Sequence, residues 1–136
     1  LAARHPGRVG RVVVASGVGG CPRSFGRVFL RRLADTFAFE AGLAAREWHT
    51  LFATVAAHWR NFWRQARASA GADLTGYAAR ARAPVLLAWG AKDLTVPVGC
   101  AEALAKVLPR PELYVSRRGS HAWPITHAAE FAAAVG

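Results

Sequence analysis

The sequence contains no methionine, only two cysteines, only two lysines and no long apolar run, and each shortage closes off a class of protein. No stretch approaches the roughly 18 to 20 apolar residues that cross a bilayer. The opening Leu-Ala-Ala-Arg-His-Pro-Gly lacks the charged-then-apolar layout of an export signal, so neither a membrane-spanning nor a visibly secreted protein is expected. Cys21 and Cys100 sit in no CxxC or Cys/His pattern, which argues against a disulfide framework or a zinc site and fits a reducing cytoplasm. There is no GxxxxGK run and no metal-ligand spacing, and Pro22 stands where a dinucleotide loop beginning at Gly17 would need its third glycine. No metal or cofactor is expected. The missing methionine, with Leu1 first, also suggests that the chain is not a whole translated gene.

What remains is one domain's worth of chain, 136 residues, with 53% hydrophobic and 19% charged residues, enough to bury a core. Acidic residues number 8 against 18 basic, for a net charge of +10. The arginines run from Arg4 to Arg118, and the only adjacent pairs are Arg31-Arg32 and Arg117-Arg118, so no basic face is evident. Arg60, Arg64 and Arg67 do fall at helical spacing beside Trp59 and Trp63, and cations mixed with aromatics can grip single-stranded nucleic acid. A non-catalytic basic module for nucleic acid or anionic surfaces is therefore the alternative to an enzyme.

The pattern along the chain is strand, helices, strand, helix, strand, helix. Leu1 to His5 reads as the last turn of a helix stopped by Pro6 and Gly7, and Arg11 to Ala15 as a strand buried on both faces. From Phe25 to Arg82 the periodicity is helical. Leu51, Phe52, Val55, Trp59, Phe62, Trp63 and Ala66 recur at intervals of three and four, predicting a helix that buries an aromatic face. Trp48, Trp59 and Trp63 read first as packing residues. Asp73 is placed to cap a short helix over Leu74 to Ala81. Pro84 to Gly90 is a fully apolar strand, Val98 to Leu108 an amphipathic helix, Glu112 to Ser116 a third strand and Pro124 to Val135 a closing helix with Ile125 facing inward. This rhythm predicts an α/β fold with a three-stranded parallel sheet.

Parallel sheets place reacting groups beyond the carboxyl ends of their strands. Asp93 follows one strand and His121 the next, so both belong to one rim. Taken singly, each has a plain reading as a turn aspartate or a loop histidine. As a pair they can work together, because a carboxylate fixes an imidazole's tautomer and stabilises its charged form for general-base catalysis.

The stretches A-P-V-L-L-A-W-G-A-K-D-L-T-V-P, L-Y-V-S-R-R-G-S-H-A-W-P and T-H-A-A-E-F resemble the C-terminal end of an α/β-hydrolase fold protein. The resemblance implies that Asp93 is the triad acid, His121 the triad base and His127 a structural residue. It implies core elements over residues 1–20, a helical lid over 21–82 and a C-terminal core over 83–136. Trp123, Val96, Trp59 and Trp63 then become candidate substrate-binding residues for an apolar acyl substrate. The family's nucleophile elbow, small-x-Ser-x-small, has no match here, because Ser16 is flanked by Val14 and Val18. The expectation is a hydrolase of ester-like substrates whose nucleophile, serine or aspartate, and N-terminal half lie outside this chain, leaving the fragment inactive alone and with a sticky sheet edge.

Overall fold

A computed structural model describes residues 2–136, apart from the side chains of Ala44, Arg46, Glu47, Trp48 and Leu51. Its elements are β1 (Val12–Ala15), α1 (Phe25–Phe39), α2 (Ala41–Ala70), α3 (Thr75–Ala78), β2 (Val85–Gly90), α4 (Val98–Ala105), β3 (Pro111–Ser116), α5 (Trp123–Thr126) and α6 (Ala128–Val135). The strands form a parallel sheet in the order β1-β2-β3. The expected fold class is therefore the observed one.

β2 is central because its sequence is apolar at every position, and all six of its residues are buried. Val85, Leu87 and Trp89 pack on α4 through Ala101 and Leu104, while Leu86 and Ala88 pack on Trp123 and the partly buried Phe131 and Val135. Alternation along a strand makes this two-faced burial possible, and each large apolar side chain buried this way contributes about 1.5–3 kcal/mol. The indole N–H of Trp89 donates to the Val96 carbonyl at 2.8 Å, so its polar atom is satisfied inside the core.

Several expectations need correction. β1 is only partly buried, with Val13 40% exposed, because among the described residues it is an edge strand paired only to β2. Residues 2–4 form a turn and Pro6–Arg8 a short 3-10 turn where the end of a helix was expected, and Leu1 lies outside the described residues. The closing helix is broken at His127 (φ −128°, ψ 48°) into α5 and α6, which turns Ile125 out to solvent. The short helix expected over Leu74 to Ala81 is the single turn Thr75–Ala78, and Asp73 stands just before its N-cap residue, Leu74. The Asp73 carboxylate accepts from the amide and hydroxyl of Thr75, tightening the turn into the single-turn α3.

The helical segment departs furthest from expectation. α2 is longer than the periodicity predicts and bends at His58, whose backbone is non-helical (φ −128°, ψ 28°). Its aromatic stripe is not a buried face: Phe52 and Trp59 are exposed, and Leu51 and Trp48 lie outside the described side chains. What α1 and α2 do share is a ring cluster in which Trp63 meets Phe25, Phe29 and Phe62 at centroid separations of 5.5, 5.7 and 5.2 Å. The apolar positions on α2 thus secure a helical hairpin and do not line a closed interior.

Candidate active site

Two loops meet at the carboxyl end of the sheet, and glycines let them do so. A Cβ on Gly90, the last residue of β2, would come within 2.4 Å of the Gly119 carbonyl oxygen. Only glycine permits that approach. The loops are then stitched by backbone bonds, Ala91 N–H to Ser116 O at 2.8 Å and Lys92 N–H to Gly119 O at 2.9 Å.

Asp93 sits in the turn that follows β2, fully buried at its side chain, and its two oxygens have separate duties. Oδ1 accepts the Val96 amide at 2.7 Å, which is the work of an ordinary turn aspartate. Oδ2 lies 3.0 Å from Nδ1 of His121. An ionised carboxylate can only accept, so this contact puts a ring proton on Nδ1 and leaves Nε2 as the basic nitrogen. The ring is 27% exposed while its carboxylate partner is shut from solvent. That asymmetry is what a base with a held tautomer requires.

Two further carboxylates, Asp35 on α1 and Glu40 just past its end, reach the same rim and were not singled out from the sequence. Asp35 is fully buried, and its Oδ2 accepts from Leu94 N at 3.2 Å, Thr95 N at 3.1 Å and Thr95 Oγ1 at 2.8 Å. Its Oδ1 is buried without a partner. Glu40 Oε1 accepts from Ser120 Oγ at 2.9 Å and Ala122 N at 2.7 Å, and Oε2 from Arg32 Nη1 at 2.6 Å. Burial pushes the Glu40 carboxyl up, but the Ala122 amide, Arg32 and the Ser120 hydroxyl outweigh it and hold it below the usual glutamate value. The signal available in the sequence is sparsity: both belong to the run A-D-T-F-A-F-E, in a chain with only 8 acidic residues. An acid inside such an apolar helix costs several kcal/mol unless it is paired.

Asp35, Asp93 and His121 bring one ligand atom each within 4.8 Å of one another, the grouping among the described residues that could hold a metal. Within it, Asp93 and His121 already stand at hydrogen-bond distance, 3.0 Å.

The proposed substrate-binding residues do not gather around the pair. Trp123 is fully buried, stacked near Tyr114 (5.9 Å) and edge-on to Phe131 (5.3 Å), and Val96 is buried in the α4 core with its amide and carbonyl both bonded. Both pack where pocket lining was expected, Val96 in the core on the α4 face of β2 and Trp123 against Leu86 and Ala88 on its opposite face. Trp63 belongs to the ring cluster and Trp59 is exposed on α2. An apolar cavity of about 480 Å³ does exist, but Val12, Val14, Leu74, Tyr77 and Leu104 are among its lining and neither Asp93 nor His121 is. Of the arginines beside the tryptophans, Arg64 bonds Asn61 and Arg67 lies over the Phe25 ring at 5.5 Å, so two of the three engage their own chain.

The serines do not offer a nucleophile at this rim. Ser16 follows β1 in a left-handed conformation (φ 45°), unusual for a residue with a side chain, but its hydroxyl is buried and has no partner. Ser120 is committed to Glu40. Both cysteines are free, and burial together with the neighbouring Cys21 pushes the Cys100 thiol up to about 11. Among the described residues, no helix is long and apolar enough to cross a membrane.

No family model matches the chain. It is 30% identical over 162 aligned positions to the 2-hydroxymuconate semialdehyde hydrolase of Pseudomonas sp. CF600, which covers all of this chain and 55% of that enzyme. It is 37% identical over 71 residues to the putative carbamate hydrolase RutD of Escherichia coli, covering 52% of this chain and 25% of that protein. A solved structure of the meta-cleavage product hydrolase CumD from Pseudomonas fluorescens superposes with a TM-score of 0.68 at 23% identity, over 98% of this chain and 57% of that one. The chain thus spans about half the length, or less, of the curated relatives it matches.

Proposed function

We propose that this chain, which carries the C-terminal portion of the α/β-hydrolase fold, supplies the acid and base of a hydrolase acting on an ester or similar acyl substrate. The observation that carries the reading is the 3.0 Å contact between the buried Asp93 and the half-open His121. His121 Nε2 takes the proton of a nucleophile hydroxyl as it attacks the acyl carbon and returns that proton to the leaving group. Water then repeats the exchange to free the acid. Asp93 holds the tautomer and stabilises the imidazolium.

Buried or committed hydroxyls cannot be the nucleophile. It comes in this reading from polypeptide outside residues 1–136, together with the oxyanion donors, and the isolated chain is inactive. A serine there gives acyl transfer to water, an aspartate a different displacement chemistry. The hydrolases of a carbamate and of a semialdehyde that this chain resembles support a small-molecule substrate. Residues 21–82 act as the lid, and the free thiols Cys21 and Cys100 fit a cytoplasmic location.

The test is to read the coding sequence upstream of residue 1 for G-x-S-x-G after an apolar strand and to express the joined protein. Hydrolysis of a short-chain ester is then compared in the unmodified protein, Asp93→Asn and His121→Ala. Turnover that collapses in both variants supports the pair, and equal turnover in all three removes it.

A further inference from the structure

We infer that the helical segment, not the sheet alone, sets the distance between acid and base, with Asp35 and Glu40 as positioning residues at one end of α1. This rests on the acid–base reading of Asp93 and His121 for its functional meaning, but its geometry stands apart from that reading.

Two carboxylates bracket the pair. Asp35 grips Leu94 and Thr95, the two residues directly after Asp93. Glu40 grips Ser120 and Ala122, the residues on either side of His121. Five bonds to two carboxylates therefore end on neighbours of the reacting pair, and the carboxylates lie five residues apart on one short piece of backbone. Hydrogen bonds to ionised acceptors are the stronger kind, and side chains shut from solvent hold them without competition from water. Glu40 is further fixed by Arg32 from one side, at 2.6 Å, and its own amide bonds Thr36 O, which ties the clamp into the last turn of α1. The charged groups beside His121 are then Asp93 from the loop after β2, and Asp35 and Glu40 from the end of α1 with Arg32 as counter-charge to Glu40.

Nothing in the sheet replaces this arrangement. The direct backbone bonds between the two loops join Ala91 and Lys92 to Ser116 and Gly119, all of them before Asp93 or His121 in the chain. Beyond those points the acid and base loops are held to a common frame by α1. A shift of that helix is therefore transmitted to the Asp93–His121 separation, and the helical segment is mechanically coupled to the base.

The test uses the ¹⁵N-labelled 136-residue chain and reads the His121 Nδ1–H proton by NMR, with Asp93→Asn identifying the resonance by its loss. Asp35→Ala and Glu40→Ala are expected to broaden or move it, while Leu104→Ala, which loosens the core on α4 and removes none of the clamp's hydrogen bonds, leaves it in place. Should the alanine variants fail to fold, Thr95→Val and Ser120→Ala each remove one bond from the loop side and produce a smaller shift in the same direction. In the joined enzyme, Asp35→Ala lowers kcat about 100-fold with KM little changed, the signature of a displaced base, and Asp35→Asn, which keeps an acceptor oxygen, recovers most of it. An unmoved resonance in Asp35→Ala and Glu40→Ala, or in Thr95→Val and Ser120→Ala, overturns the clamp, as does equal loss in Leu104→Ala. Failure of the hydrolase reading shows elsewhere, as activity indifferent to Asp93→Asn and His121→Ala.

Discussion

Gly90 and Gly119 stand so close that any side chain on Gly90 would meet the Gly119 carbonyl oxygen at 2.4 Å. The obstacle is backbone, which cannot swing aside as the tip of a long side chain can. Gly90→Ala must therefore push the two loops apart, at a cost of about 1–3 kcal/mol. Gly99 gives the contrast, since it lies in α4 and a Cβ there would meet nothing within 4 Å. Gly99→Ala should be neutral or stabilising by up to about 1 kcal/mol. Urea unfolding midpoints of the two variants check the pair, and a harmless Gly90→Ala would mean that the loops are not held at contact.

The strands and the meeting of Asp93 with His121 were legible because each has a local cause. β2 is apolar at every position, which only burial on two faces explains, and Asp93 and His121 follow their strands after a glycine that the close loop crossing demands. The role of Asp35 and Glu40 was not legible, since the amides of Leu94, Thr95 and Ala122 that they accept from lie 59 to 82 residues away and an amide carries no sequence signature. The aromatic stripe of α2 misled for the opposite reason. Period alone cannot tell whether a face meets a core or only a neighbouring helix, and here Trp63 finds Phe25 and Phe29 while Trp59 stays in solvent. Trp123 looked like pocket lining because it follows the base by two residues, yet α5 begins at that residue and turns it under the sheet.

Asp93→Asn separates the two duties of one side chain. The amide oxygen can still accept from Val96, so the turn survives, but the amide N–H₂ now faces His121 Nδ1 and forces the proton onto Nε2. The wrong tautomer cannot act as base. In the joined enzyme kcat should fall by about 10⁴, with the melting temperature changed far less than activity. Parallel loss of fold and activity would instead make Asp93 a turn residue only.

Acid should loosen the rim through Glu40. Its carboxyl is held below the ordinary value of 4.5, so the folded state favours its charged form, and the stability this supplies is complete above that value. It is lost as pH falls below 4.5 through the lowered folded value. Glu40→Gln has no such charge to lose. The variant should be less stable than the unmodified chain at neutral pH, and the gap should narrow on acidification. Urea titrations at a series of pH values from neutral to strongly acidic measure this, and a gap that stays constant would show that the Ala122, Ser120 and Arg32 bonds do not favour the carboxylate.

β1 is an edge strand whose apolar Val13 is 40% exposed, and its ladder groups on the side away from β2 have no strand beside them among the described residues. Such an edge recruits another strand, either from the remainder of the fold or from a second copy of itself. The 136-residue chain on its own should therefore self-associate with rising concentration. A lysine on the strand opposes that pairing, because a second copy would have to bury or repel its charge. Val13→Lys should then shift the chain toward monomer in light scattering after size exclusion, while a similarly exposed apolar site away from the sheet, Leu74→Lys, should not. A chain that stays monomeric at every concentration would show that the β1 edge is already protected, and it would weaken the case that a further strand completes the sheet there.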